Sequence, residues 1–386
     1  MFLSLISLAS SLNFNYTCKP NLKIPDPVPN STLEQVILLT RHGFRAPFDG
    51  YGNYTPDGWI CDSDSAPSPR MSTTLTKEYR RYHTSYEEKT LPYPPSCRKA
   101  DLTVEGQELH VQLGAFYRKY LVEQLHFLPE SMDPEFMYLR SSEPERCIRS
   151  LESFIHGLYP PEYPDEFLKI VTGTDPLELL HPRPDHCADL TKSYNDWINS
   201  SKYLEKKEAA AKVLKDLVNQ SGLPWDEWQW LWVGDWLYTI ACVGKPLPDF
   251  ITQEMLDVAM DAVEFYTLDL YQHQTGVAGA SIIREVLQHI SEKQAGEKNH
   301  KFVLLSAHDI SIVAACDILG IKLDKIPPFA SHMMFEVLKS NGRFLVRVSL
   351  NGEVILKEMT LQKFKGLVAP YIQYCQEVGG AEPMVL

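Results

Sequence analysis

Hydrophobic and polar positions along the chain fall into two rhythms. Short unbroken apolar runs at Val36-Ile37-Leu38-Leu39-Thr40, Phe136-Met137-Tyr138-Leu139 and Phe302-Val303-Leu304-Leu305 read as strands buried on both faces, because a half-exposed strand would alternate with polar residues. Between these runs apolar residues recur every three or four positions. Leu109, Leu113, Phe116, Tyr120 and Leu125 share one face of a helix from about Val104 to Phe127, with Thr103 as its N-cap. Ile148, Leu151, Ile155 and Leu158 mark a second helix that Pro160 stops, and Ile312, Val313, Cys316 and Leu319 a third that closes at Gly320. The region 160–300 is helical with irregular breaks, and carries Leu204–Val218, Gln253–His273 and Ser281–Lys293. Residues 48–100 are rich in Gly, Pro, Asp and Ser, with one expected helix around Lys77–Glu88. The chain closes as a meander: Phe335–Leu338 and Phe344–Leu350 flank Asn341-Gly342, and Asn351-Gly352 turns into Val354-Ile355-Leu356. These patterns predict an α/β fold, a doubly wound mixed sheet flanked by helices with a smaller, mainly helical inserted domain. Residues 13–140 and 300–386 would form the core and 141–299 the insertion.

Each of the three buried strands hands over arginine or histidine at its carboxyl end. The first runs into Arg41-His42-Gly43-Phe44-Arg45-Ala46-Pro47, the second into Arg140-Ser141-Ser142 and the third into Ser306-Ala307-His308-Asp309. Carboxyl ends of strands in an open α/β sheet share one rim, so these segments are expected in one crevice. Guanidinium groups grip a tetrahedral oxyanion bidentately, and an unprotonated imidazole between them can attack phosphorus. Taken singly, each arginine could equally pair with a surface carboxylate.

Charge and cysteine content narrow the setting. A net charge of -13 argues against general nucleic-acid binding, which needs a basic footprint, and residues 141–300 hold most of the excess, with 14 Lys+Arg against 26 Asp+Glu. Residues 1–12 contain no charge and resemble a short secretory signal, although the usual basic start is missing. Five asparagines, 15, 30, 53, 199 and 219, stand in N-glycosylation acceptors, which fits secretion. The 8 cysteines then suit an oxidising compartment, with pairing left open. Their wide spacing lacks close pairs, so a structural metal is not expected, nor is any cofactor. No later run is long enough to span a bilayer. Nothing fixes the oligomeric state, and a homodimer is compatible with the sequence. Five of the 7 tryptophans cluster at 225, 228, 230, 232 and 236. At helical spacing such residues ordinarily fill a core; the alternative is an aromatic wall for the alcohol part of a substrate.

The string Arg-His-Gly-x-Arg-x-Pro at 41–47, together with His308-Asp309, resembles the histidine acid phosphatase family, the prostatic and lysosomal type within the histidine phosphatase superfamily. The resemblance runs over most of 34–350, taking in Leu102-Thr103-Val104-Glu105-Gly106, Pro327-Pro328-Phe329-Ala330-Ser331 and Asp235. After Arg140 the chain reads Ser-Ser-Glu-Pro-Glu-Arg-Cys, where relatives more often have Ser-Thr and Arg-Thr. The resemblance implies His42 as nucleophile, Asp309 as proton donor, and Arg41, Arg45, Arg140 and His308 as phosphate ligands. It also implies hydrolysis of small phosphate monoesters through a phosphohistidine, without metal, in a secreted, lysosomal or cell-surface glycoprotein. A phytase-like inositol phosphate phosphatase shares both end motifs, but its highly charged substrate suits a basic surround better than this acidic insertion. A phosphoglycerate-mutase-like phosphotransferase and a glycosylated surface binding protein that has lost turnover are the remaining readings; the intact His42 and Asp309 speak against the latter.

Overall fold

The computed structural model describes residues 12–52, 54, 56–63, 66–67, 71–72, 82–83, 91–161, 168–272, 276–376 and 378. Most of the expected signal, residues 1–11, and Asn53 lie outside them. Strand β1 (Thr32–Arg41) is the axis of a seven-stranded sheet in the order β5-β4-β6-β1-β7-β8-β9. On one side β1 pairs in parallel with β6 (Phe302–Ala307), β6 with β4 (Met137–Ser141), and β4 with the short β5 (Val171–Thr172). On the other side it pairs antiparallel with β7 (His332–Ser340), followed by β8 (Arg343–Leu350) and β9 (Glu353–Thr360) in a meander. Left-handed Asn341 and Asn351, each followed by a left-handed glycine, make the two turns that Asn-Gly pairs predict.

Alternate residues of the central strands feed two separate cores, which is why their sequences are apolar without interruption. Val36, Leu38, Phe302 and Leu304 enter one core, under α1 (Val104–Arg118) and α2 (Glu145–Leu158). Ile37, Leu39, Val303 and Leu305 enter the other, shared with α7 (Ala280–Ala295) and α8 (Asp309–Ile318). Helices α1 and α2 cross closely because Gly114 and Gly157 have no side chains: a Cβ on Gly114 would stand 2.0 Å from the Phe154 carbonyl oxygen. Although α2 falls in the span 141–299, it thus packs with the sheet. The acidic stretch after it forms α3 (Ala188–Ile198), α4 (Ser201–Gln220), α5 (Gln229–Cys242) and α6 (Gln253–Glu264), of which α4, α5 and α6 pack on one another. The chain continues from α6 through a π-helical turn, Phe265–Leu270, within the expected helix 253–273. Helix α9 (Leu361–Val368) closes the described elements.

The expected helix near 77–88 lies mostly outside the described residues, and where it is described it is not helical: Tyr82–His83 (β3) pairs with Met71–Ser72 (β2). Disulfides join Cys18 to Cys242, Cys61 to Cys97 and Cys187 to Cys375, while Cys147 and Cys316 are free and buried. The first ties the lead-in to α5, and the third ties the start of α3 to the chain's end.

Candidate active site

The carboxyl ends of β1 and β6 are adjacent, with Arg41 opposite Ala307, and the peptide N–H of His42 donates to the Ala307 carbonyl at 3.1 Å. This register brings residues from the two ends of the chain into one cavity. Arg41, His42, Arg45, His308 and Asp309 all line it, and the first four are almost fully buried, at 2–3% exposure. The loop that carries His42 is clamped from both sides. Its carbonyl accepts from Ala330 N–H at 3.1 Å, and Gly43 N–H donates to Ser150 Oγ at 3.0 Å. Gly43 is required here, because a Cβ would come within 2.3 Å of the Gly106 carbonyl oxygen at the start of α1.

The tautomer of His42 follows from its neighbours. Nδ1 lies 2.9 Å from the Gly43 carbonyl oxygen, which can only accept, so Nδ1 carries the proton and Nε2 has the free lone pair. Burial, reinforced by the charges of Arg146, Arg41 and Arg45, holds the His42 pKa well below the ordinary histidine range. Both effects favour the neutral imidazole. His308 is lowered in the same way, by burial first and then by His181, Arg146, His42 and Arg41, and its Nε2 is 2.9 Å from Ser142 Oγ.

Each arginine of the β1 loop holds a carboxylate. Arg41 Nη2 meets Asp309 Oδ2 at 2.9 Å, and Arg45 Nη2 donates to Asp235 Oδ1 at 2.6 Å. Aromatic faces cover the guanidiniums: Phe329 lies 4.1 Å from Arg41 and Phe48 4.5 Å from Arg45. The tryptophan cluster divides between its two readings. Trp230 and Trp236 are buried core residues, whereas Trp232 lines the cavity beside Phe48 and Tyr266, at ring distances of 5.5 Å from each.

Arg140 is not among the residues that line the cavity. It stands inside β4, which runs on to Ser141, and the pleat turns it and Tyr138 to the same face. There its Nη2 lies 3.7 Å from buried Glu178. The arginine that enters the cavity is Arg146, on the first turn of α2, with its guanidinium 5.3 Å from the Phe48 ring. Sequence reasoning put Arg140 at the rim because it took the strand to end at Leu139, two residues early. The available signal was the second arginine in the same string, placed where a helix amino terminus faces an anion. His181 was missed too; it lines the cavity and stacks on His308 with centroids 4.0 Å apart, and it comes from an irregular segment with no periodicity to mark it.

The arrangement can hold a dianion between three guanidiniums, present an unprotonated nitrogen to its centre, and offer a carboxyl on the same cavity wall. Residues 32–351 match the model of the histidine phosphatase superfamily (branch 2). Counting factor 60 of Dictyostelium discoideum is 24% identical over 358 residues, covering 85% of this chain and 83% of that protein. Human prostatic acid phosphatase is 26% identical over 305 residues, covering 70% and 76%. The apo phytase of Hafnia alvei superposes with a TM-score of 0.58 at 16% identity, over 91% of this chain and all of that one, a likeness of fold. With the match spanning six of the sheet's seven strands and both rim motifs, this chain belongs to branch 2 of the histidine phosphatase superfamily.

Proposed function

We propose that the protein is an acid phosphatase that hydrolyses small phosphate monoesters through a covalent phosphohistidine. The observation that carries this reading is His42, neutral, with Nδ1 committed to a carbonyl and Nε2 free in a cavity lined by Arg41, Arg45 and Arg146. A substrate phosphoryl group would displace Asp309 and Asp235 from the arginines. Nε2 attacks phosphorus as the ester P–O bond breaks, and Asp309, entering as the carboxylic acid, gives its proton to the departing alkoxide. Water then attacks the N–P bond, returns a proton to Asp309 and releases inorganic phosphate. The guanidiniums stabilise the charge on the phosphoryl oxygens in both steps.

Residues of α5, of α6 and of the turn after it, among them Trp232, Val263 and Tyr266, form much of the remaining cavity wall. We read this helical bundle as a cap that selects an apolar or aromatic alcohol portion. The test is a monoester panel on wild type and Asp309→Asn. The variant is expected to keep most activity on esters of good phenol leaving groups and to lose about 10²–10⁴-fold on alkyl esters, which need the proton. Equal losses on both would remove Asp309 from the acid role.

The same reading places the protein in a secreted or lysosomal setting. Asn15, Asn30, Asn199 and Asn219 are all exposed, as glycan acceptors must be, and the three disulfides fit an oxidising compartment. Protein from a secreting host is expected to drop in apparent mass on treatment with an N-glycosidase. An unchanged mass would count against this setting.

A further inference from the structure

On the face of the sheet that Arg140 occupies, three potential metal ligands converge far from the cavity. His289 and Glu292 stand on the last turns of α7, and His300 lies two residues before β6, at the opposite end of the strand from His308. One ligand atom from each of the three lies within 4.8 Å of the others. His289 is 4% exposed, yet its Nδ1 has no hydrogen-bond partner; the nearest carboxylate oxygen, Glu292 Oε2, is 3.7 Å away. Nδ1 of His300 is likewise buried without a partner.

The surroundings are those of a prepared site. His289 Nε2 lies 3.3 Å from Glu285 Oε1, so this nitrogen carries the proton and Nδ1 is left as a lone-pair donor. A carboxylate that orients a ligating histidine through its second nitrogen is the recurrent outer shell of zinc centres. Glu285 is in turn hydrogen-bonded with Tyr138, whose ring packs 4.4 Å from that of His289 and 5.7 Å from that of His300. The backbone at His300 is held by Gln35, whose Nε2 donates to its carbonyl at 3.0 Å.

We propose that His289, Glu292 and His300 bind a divalent cation of the zinc class, with water completing the coordination. Two imidazoles and one carboxylate suit such an ion, and a tetrahedral centre about 2 Å from each ligand would draw the three atoms to about 3.3 Å apart, within the reach of side-chain adjustment. The bound ion would tie the end of α7 to the start of β6. The expectation of no structural metal rested on cysteine spacing and weighed no histidine–carboxylate set.

Titration of the metal-stripped protein with Co²⁺, read by visible absorption, and with Zn²⁺ in competition tests this. Wild type is expected to bind one ion, with the absorption of a low-coordinate site. Glu292→Gln and His300→Asn should each weaken binding at least tenfold, and Glu285→Gln about tenfold through the outer shell. All three should retain monoester hydrolysis, which also reports that they fold. Absence of saturable binding in wild type would overturn the proposal. Binding that survives in both ligand variants would overturn it too, and inhibition of hydrolysis in that case would place the ion among His42, His181 and His308.

Discussion

His42→Ala is expected to lose at least about 10⁴-fold in kcat on every monoester, since removing the attacking atom of a covalent mechanism leaves only binding and charge stabilisation. The imidazole is buried at the cavity with its Nδ1 held by the Gly43 carbonyl, so Nε2 is the nitrogen left for attack. Rapid denaturation of wild type during turnover of a ³²P-labelled monoester should trap one phosphoryl group per chain. That label should be labile in acid and stable in base, as a phosphoramidate is, and absent from the variant. A wild type that never carries the label, with a variant that still turns over, would leave direct attack by water as the mechanism.

Arg146→Ala should fall about 10²–10³-fold in kcat/KM, the usual loss for one preorganised charge on a reacting oxyanion. Arg140→Ala should stay within a few-fold of wild type in activity. The two substitutions separate because only Arg146 lines the cavity, while Arg140 neutralises Glu178, a side chain with no exposed surface. Leaving that carboxylate without its cation should lower stability by on the order of 3 kcal/mol, read as a lower Tm with intact kcat.

The pH profile gives an independent handle on Arg146, through the same electrostatics. A nucleophilic imidazole works unprotonated, so activity is lost as pH falls through its pKa. Burial and the arginines depress that pKa in wild type, so activity is expected to extend into the acid range. Removing the Arg146 charge lets the His42 pKa rise, and the acid limb of kcat/KM should move to higher pH in Arg146→Gln. A limb that stays in place while kcat/KM falls would mean that Arg146 binds phosphate without tuning the nucleophile.

Much of this architecture was legible in the residues. Uninterrupted apolar runs at 36–40 and 302–305 report strands covered on both faces, and the two cores fed by alternate residues are the reason. Strand ends followed by Arg-His and His-Asp announce a shared rim, because parallel strands in one sheet present their carboxyl ends together. The Asn-Gly turns of the closing meander follow from the only conformation those pairs favour there.

What the chain settled by itself, then, is the set of buried strands, the helices with an apolar stripe and the residue types delivered at each strand end, since all of these are written in local periodicity and local chemistry. Tertiary structure decided which of two arginines six residues apart lines the cavity. That choice depended on where β4 ends, on the face its pleat gives Arg140 and on the angle at which α2 leaves the rim. Packing between distant segments likewise decided that Trp232 lines the cavity while Trp230 fills a core, that His181 lies on His308, and that His289, Glu292 and His300 meet. Such meetings depend on register and crossing geometry among segments far apart in the chain, quantities that no window of neighbouring residues contains.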